Sequence, residues 1–215
     1  MMNFQDEKDI ITRYEEKLNK YGISPQAMGW RDKVQQYVRF AILSEIGDLN
    51  NHSVLDIGCG FGDFFDFLKQ KGMKVEYTGY DISSRLIKIA EKKYPRAIFK
   101  VKDISEEEVN KKFDYVISSG IFNHKLSNNE NFVREMLTKS FELCNIGIAI
   151  NMMSSYVDYQ DEHLYYYHPE AIFAFCKSLT RRVTLRHDYM PYEFTIYLYK
   201  QEGIGERNIF SEILE

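Results

Sequence analysis

Cysteine is scarce in this chain, and that scarcity narrows the chemistry. The three cysteines, Cys59, Cys144 and Cys176, in 215 residues show no paired, metal-type spacing, so neither a disulfide framework nor a metal site is expected, and a reducing cytoplasm suits the composition. Long apolar runs are also missing. No stretch approaches the ~18 residues that a membrane span requires, and an N-terminus charged from Asp6 onward does not read as a signal peptide. Basic charge is not in excess: 28 Lys and Arg face 32 Asp and Glu, for a net charge of -4. Phosphate neutralisation needs clustered cations, so nucleic acid is disfavoured as a partner. Internal repeats and low-complexity segments are lacking as well.

What is present suits one domain. The hydrophobic fraction of 44% supplies a core, and there is no room for a second catalytic unit. Residues 6 to 20 carry Ile10, Ile11, Tyr14 and Leu18 at helical spacing, and Val34, Val38, Ala41, Ile42 and Ile46 mark a second helix that Gly47 can end. Strands follow at 53–57, 75–81, 98–101, 113–118 and 146–152, separated by helical patterns that include residues 129–143. This alternation predicts a mostly parallel sheet with right-handed crossovers. Two β-rich runs, 182–187 and 194–199, have only a turn between them and should pair antiparallel. The chain divides into a helical extension at 1–32, a main domain at 33–200 and a tail at 201–215.

Open α/β sheets bind ligands where their strands end. The first strand ends in Asp56-Ile57-Gly58-Cys59-Gly60-Phe61-Gly62, whose alternate glycines let backbone approach a ligand closely. The spacing G-x-G-x-G differs from the G-x-G-x-x-G that seats a dinucleotide pyrophosphate. Asp56 would repel a phosphate but can orient the loop or receive an aminoacyl ammonium. Asp81, 19 residues beyond Gly62, is placed to accept bonds from ribose hydroxyls, though it also suits a helix N-terminus. Asp103 could accept from an adenine amine, though Asp103-Ile104-Ser105-Glu106 also reads as a helix entry.

The run Val54-Leu55-Asp56-Ile57-Gly58-Cys59-Gly60-Phe61-Gly62, followed by Asp81 and Asp103, resembles the class I S-adenosylmethionine (SAM)-dependent methyltransferases over roughly residues 34 to 200. The resemblance implies a Rossmann-like three-layer sandwich with a seven-stranded, mostly parallel sheet and an antiparallel last strand, here under an N-terminal helical cap. It further implies that the glycine loop, Cys59 included, underlies SAM. Asp81 with Ile82 would hold the ribose, Asp103 and Ile104 would border the adenine, and Ser118-Ser119-Gly120 would line the methionine end. Gly29-Trp30 with Gln36 and Arg39-Phe40 resembles uncharacterised bacterial members, where Arg39 can bond the cofactor carboxylate or lie exposed on its helix.

The expected activity is methyl transfer to an oxygen or nitrogen of a small or sugar-linked acceptor, by a monomer or homodimer. The fourth strand is followed by no Asp-Pro-Pro-Tyr-like run, and no Pro-Cys pair is present, so DNA bases are disfavoured. A non-catalytic SAM-binding regulator is the alternative. Sixteen tyrosines accompany one tryptophan, and the Tyr156–Tyr167 loop is either an acceptor-gripping lid or core packing. Tyr156, Tyr165 and Tyr166 of this loop, together with Trp30, are the candidate acceptor contacts. His124, His163 and His187 are the candidates for proton removal, against the commoner role of a surface histidine.

Overall fold

The computed structural model describes residues 2–200; the tail expected at 201–215 lies outside them. Its order is α1 (Phe4–Tyr21), a 3-10 turn (Pro25–Met28), α2 (Lys33–Ser44), β1 (Ser53–Ile57), α3 (Asp63–Gln70), β2 (Glu76–Asp81) and α4 (Ser84–Lys93). Then come β3 (Ile98–Val101), β4 (Phe113–Ser118), α5 (Asn129–Leu143), β5 (Cys144–Met153), α6 (Pro169–Leu179), β6 (Val183–Met190) and β7 (Glu193–Tyr199). The seven strands form one sheet in the order β3-β2-β1-β4-β5-β7-β6. β7 runs antiparallel to both of its neighbours, and the other pairs are parallel. The chain thus has the Rossmann-like sandwich with an antiparallel last strand.

Side-chain alternation builds the layers. Leu55, Val116, Ile148 and Ile150 face α5 and α6, where Val133, Leu137, Ile172 and Cys176 meet them. Val54, Tyr115, Ile117 and Ala149 face the other way, toward Phe40, Leu43, Phe64 and Leu68 of α2 and α3. A strand of period two that is buried on both faces reads as a continuous apolar run, which is the appearance of β1 and β4. α2 stops at Ser44 with Glu45 as its C-cap, ahead of the expected stop at Gly47. Gly47 serves packing instead: a Cβ there would stand 2.6 Å from the Tyr115 hydroxyl. β6 extends to Met190, so the hairpin turn is tighter than the sequence pattern suggested.

α1 lies across the C-terminal strand ends. Asn3 caps it by accepting from the Asp6 amide, Asp6 and Glu7 occupy its first turn, and Gly22 closes it at φ 64°, an arrangement that favours a helix at both ends. On one bank the Ser83 hydroxyl donates to Glu15 at 3.4 Å and Arg85 donates to Asn19 at 2.6 Å. On the other, Asn3 Nδ2 donates to Ser127 Oγ at 2.9 Å, and that hydroxyl donates to Asp6 at 2.5 Å. Beneath it, Leu18 packs with Ala27, Phe61 and Leu86.

Candidate active site

Between α1 and the strand ends is a cavity of 730 Å³. Its floor comes from β1, β2 and β3. Gly58 and Gly60 adopt φ +75° and +52°, backbone that L side chains rarely take. At Gly58 a Cβ would also stand 2.3 Å from Ile121. Gly62 is different: it caps α3 away from the cavity wall, and a Cβ there would meet Phe99 and Tyr94 within 3.1 Å. Its role is to seat the helix on the sheet. Cys59 touches the cavity but is buried, and its sulfur would be 2.7 Å from a Cβ at Gly79.

Carboxylates dominate the floor. Asp81 accepts from the Gly60 amide at 2.9 Å and from the Ser83 amide at 2.8 Å, one on each oxygen. Burial raises its pKa and these amides counter the rise. The β2 tip and the glycine loop are therefore locked together. Asp56 is buried and accepts from the Tyr77 hydroxyl at 2.5 Å; burial is the main reason that its pKa is pushed up to about 7. Asp103 accepts from the Ser105 amide at 2.7 Å, and Asp103, Ile82 and Ile104 reach the cavity.

The end beyond β4 is held by a buried network. Asn151 accepts from the Gly120 amide at 2.9 Å and donates to Ser119 Oγ at 3.2 Å and to Glu193 at 3.1 Å. Glu193 also accepts from Arg39 Nε at 2.7 Å, with the two side chains 1% and 3% exposed. Arg39 donates further to the Gln35 carbonyl and sits 4.2 Å from the Trp30 ring. Arg39, Trp30, Ser119 and Gly120 all line the cavity. Arg39 is thus buried rather than exposed on its helix, and its Nε serves a protein carboxylate. Ser118 is fully buried behind the wall, donating to the Ile57 carbonyl at 2.8 Å.

Of the three histidines, the cavity includes only His124. Its Nε2 lies 3.1 Å from the Tyr14 hydroxyl, and its Nδ1 is buried without a partner. Burial, then the charges of Arg13 and Lys17, bring its pKa down to about 4. His163 is exposed and stands outside the cavity; His187 bonds the Pro191 carbonyl at 3.2 Å, also outside it. The tyrosines of the long loop do not reach the wall either. Tyr156 is exposed, the Tyr165 hydroxyl donates to Glu130, and the Tyr166 hydroxyl accepts from the Asp161 amide. Backbone bonds from Tyr165 to Asn123, Lys125 to His163 and Tyr167 to Met153 pin the loop down, and Leu164 is the residue it contributes. Tyr14, Lys17, Asn123, Met153 and Tyr192 are wall residues that the sequence reading did not select; the helical stripe containing Tyr14 was the one available signal.

A methyltransferase-domain family profile matches residues 54–139, the span from β1 to α5. The Mycobacterium tuberculosis protein Rv1506c, which carries a methyltransferase name, is 33% identical over 158 residues, covering 69% of this chain and 93% of its own. The chain belongs to the class I SAM-dependent methyltransferases. Among solved structures, the fold is shared with magnesium protoporphyrin IX methyltransferase from Synechocystis, bound to S-adenosylhomocysteine (SAH), with TM-score 0.64 and 16% identity over 88% of this chain and 94% of that one. It is also shared with Haemonchus contortus phosphoethanolamine N-methyltransferase 1, with TM-score 0.67 and 15% identity over 99% of this chain and 55% of that one.

SAM is the cofactor of this methyltransferase, and the cavity suits it. The floor offers Asp56, Asp81 and Asp103 to a cationic ligand bearing hydroxyls and an amine, beside glycines that bring backbone to the surface, while Asp63 of α3 is already paired with Lys93. Among the described residues no group of three or more His, Cys, Asp or Glu could hold a metal, and no helix is long and apolar enough to cross a membrane.

Proposed function

We propose that this methyltransferase transfers its methyl group to an oxygen or nitrogen of a small molecule enclosed beneath α1. The observation that carries this reading is the cavity beneath α1, with Asp81 fixed on its wall by two backbone amides. Asp81, backed by Ile82, takes the ribose hydroxyls, and Asp103 with Ile104 borders the adenine. Gly58 and Gly60 lie against the cofactor's chain, and Asp56 with Ser119 and Gly120 receives its aminoacyl end. The remaining wall, with Trp30, Asn123, His124, Met153, Leu164 and Tyr192, takes the acceptor. A small acceptor, free or sugar-linked, suits a site covered by a helix better than a polymer does. Three free, buried thiols suit a reducing cytoplasm.

When bound, SAM supplies an electrophilic methyl carbon on a sulfonium. The protein's contribution is alignment and exclusion of water. α1 excludes solvent from above, and the Asn151 side chain holds the Gly120 amide and Ser119 hydroxyl in fixed directions. Calorimetry with SAM, SAH and NAD tests the reading: SAM and SAH should bind in the micromolar range or tighter, and NAD should not compete. Equal binding of NAD, or no binding of SAH, rejects the site assignment.

A further inference from the structure

The cavity wall carries both signs of charge. The carboxylates Asp56, Asp81 and Asp103 line it at the strand ends and Asp63 at the start of α3, whereas its lining cations are Lys17 on α1, Arg31, Arg39 and Lys102. Most of the lining cations are already matched. Arg39 pairs with Glu193, Lys102 with Glu107, and the exposed Arg31 with Asp32. Lys17 has no carboxylate: it is half-buried on α1, its Nζ stands 5.7 Å from the centre of the Tyr14 ring, and it makes no hydrogen bond or ion pair among the described residues. Burial lowers its pKa first and Arg13 lowers it further, while Asp161 and Tyr21 act in the opposite sense from beyond ion-pair distance.

A second unmet group lies on the same wall. His124 is 7% exposed and its Nδ1 has no partner. Tyr14 has one hydroxyl hydrogen to give, and His124 Nε2 is its hydrogen-bonding partner at 3.1 Å. In the tautomer in which Tyr14 donates to Nε2, the imidazole carries its hydrogen on Nδ1, and a buried donor without an acceptor is costly. In that tautomer Lys17 and His124 offer one cation and one N–H to a negative oxygen. A histidine whose pKa is brought down to about 4 is also too weak a base to take a proton from an alcohol or an ammonium group near neutral pH. A carboxylate arrives already ionised.

Resting on the small-molecule reading above, we propose that the acceptor is an apolar carboxylic acid, its carboxylate facing Lys17 and His124 and its body against Trp30, Met153 and Leu164. A carboxylate oxygen donates a lone pair to form the new O–C bond as the C–S bond breaks, and that bond's electron pair stays on sulfur. An anion and a sulfonium become a neutral ester and a thioether, and no proton moves. The ester no longer answers Lys17, which favours product release.

The test uses protein loaded with SAH and calorimetry with octanoate and 4-phenylbutyrate against octanamide and 4-phenylbutyramide. The acids should bind at least about tenfold tighter than the amides. Lys17→Met should erase that preference and Lys17→Arg should keep it, with SAH affinity within twofold of the parent in both. In parallel, tritium transferred from methyl-labelled SAM into a small-molecule cell extract should be released as methanol by mild alkali, as from an ester. Acids binding no better than amides, or an alkali-stable label, overturns the proposal while leaving the methyltransferase reading intact. Failure of SAH itself to bind would instead remove the reading beneath it.

Discussion

The floor of the cavity is made of strand ends and backbone amides, whereas the roof is made of helix side chains. On the floor, Asp81, Gly60 and Ser83 are joined within a single loop-and-strand unit. On the roof, α1 is fastened at its margins, through Ser127 on one bank and Ser83 and Arg85 on the other, and most of those bonds are exposed. Exposed polar bonds of this kind contribute little each, and segments held by few buried contacts open first. The floor is thus held by backbone, and the roof by side chains at its edges and by Leu18 and Tyr14 beneath it.

The buried network that joins α2 to β7 should be the most sensitive point of the comparison. Glu193→Ala leaves the Arg39 guanidinium buried and unpaired, and should cost about 3–5 kcal/mol in chemical denaturation. The double variant Arg39→Met with Glu193→Leu should recover most of that loss, and an equally unstable double variant would mean that the ion pair is not the cause. His124 gives the next effect. Its folded pKa of about 4 lies below the ordinary 6.5, so the unfolded chain binds a proton that the native state refuses between those values. Stability should therefore fall by roughly 3 kcal/mol as pH drops from 6.5 to 4, at 1.36 kcal/mol per pH unit. His124→Leu should remove that part of the slope, and identical slopes in the two proteins would show that the imidazole is not buried neutral.

Floor chemistry comes next. Asp81→Ala should weaken SAH binding by about 100-fold, the order expected on losing one or two hydrogen bonds to a charged group; calorimetry showing less than a fivefold change would displace Asp81 from the site. The smallest effect is expected at Tyr156, 63% exposed and off the wall. Tyr156→Ala should alter SAH affinity and turnover by less than about twofold, since exposed positions of this kind contribute little. A large loss of turnover would mean that the loop closes over the acceptor.

The floor was the legible half because its information is local. The alternation of strands and helices, the helix at Asn129–Leu143 and the run from Val54 to Gly62 each lie within one short window. The roof is assembled from residues far apart in sequence. Tyr14 meets His124 across 110 positions, and Arg39 meets Glu193 across 154, pairings that no periodicity announces. Tyr156 to Tyr167 stayed open between two readings for a related reason: composition does not distinguish a tyrosine that grips a ligand from one such as Tyr167, which is buried against Phe122. His124, His163 and His187 were equivalent in sequence, and only burial separates them.

The position of α1 also bears on when the protein is completed during synthesis. This helix leaves the ribosome before the sheet it covers, and its anchors at Ser83, Arg85, His124 and Ser127 emerge tens of residues later. Closing so long a loop costs chain entropy that only the finished sheet can offset. A segment made ahead of the sheet is thus among the last to dock, and a nascent chain halted before residue 124 would display the strand tips uncovered.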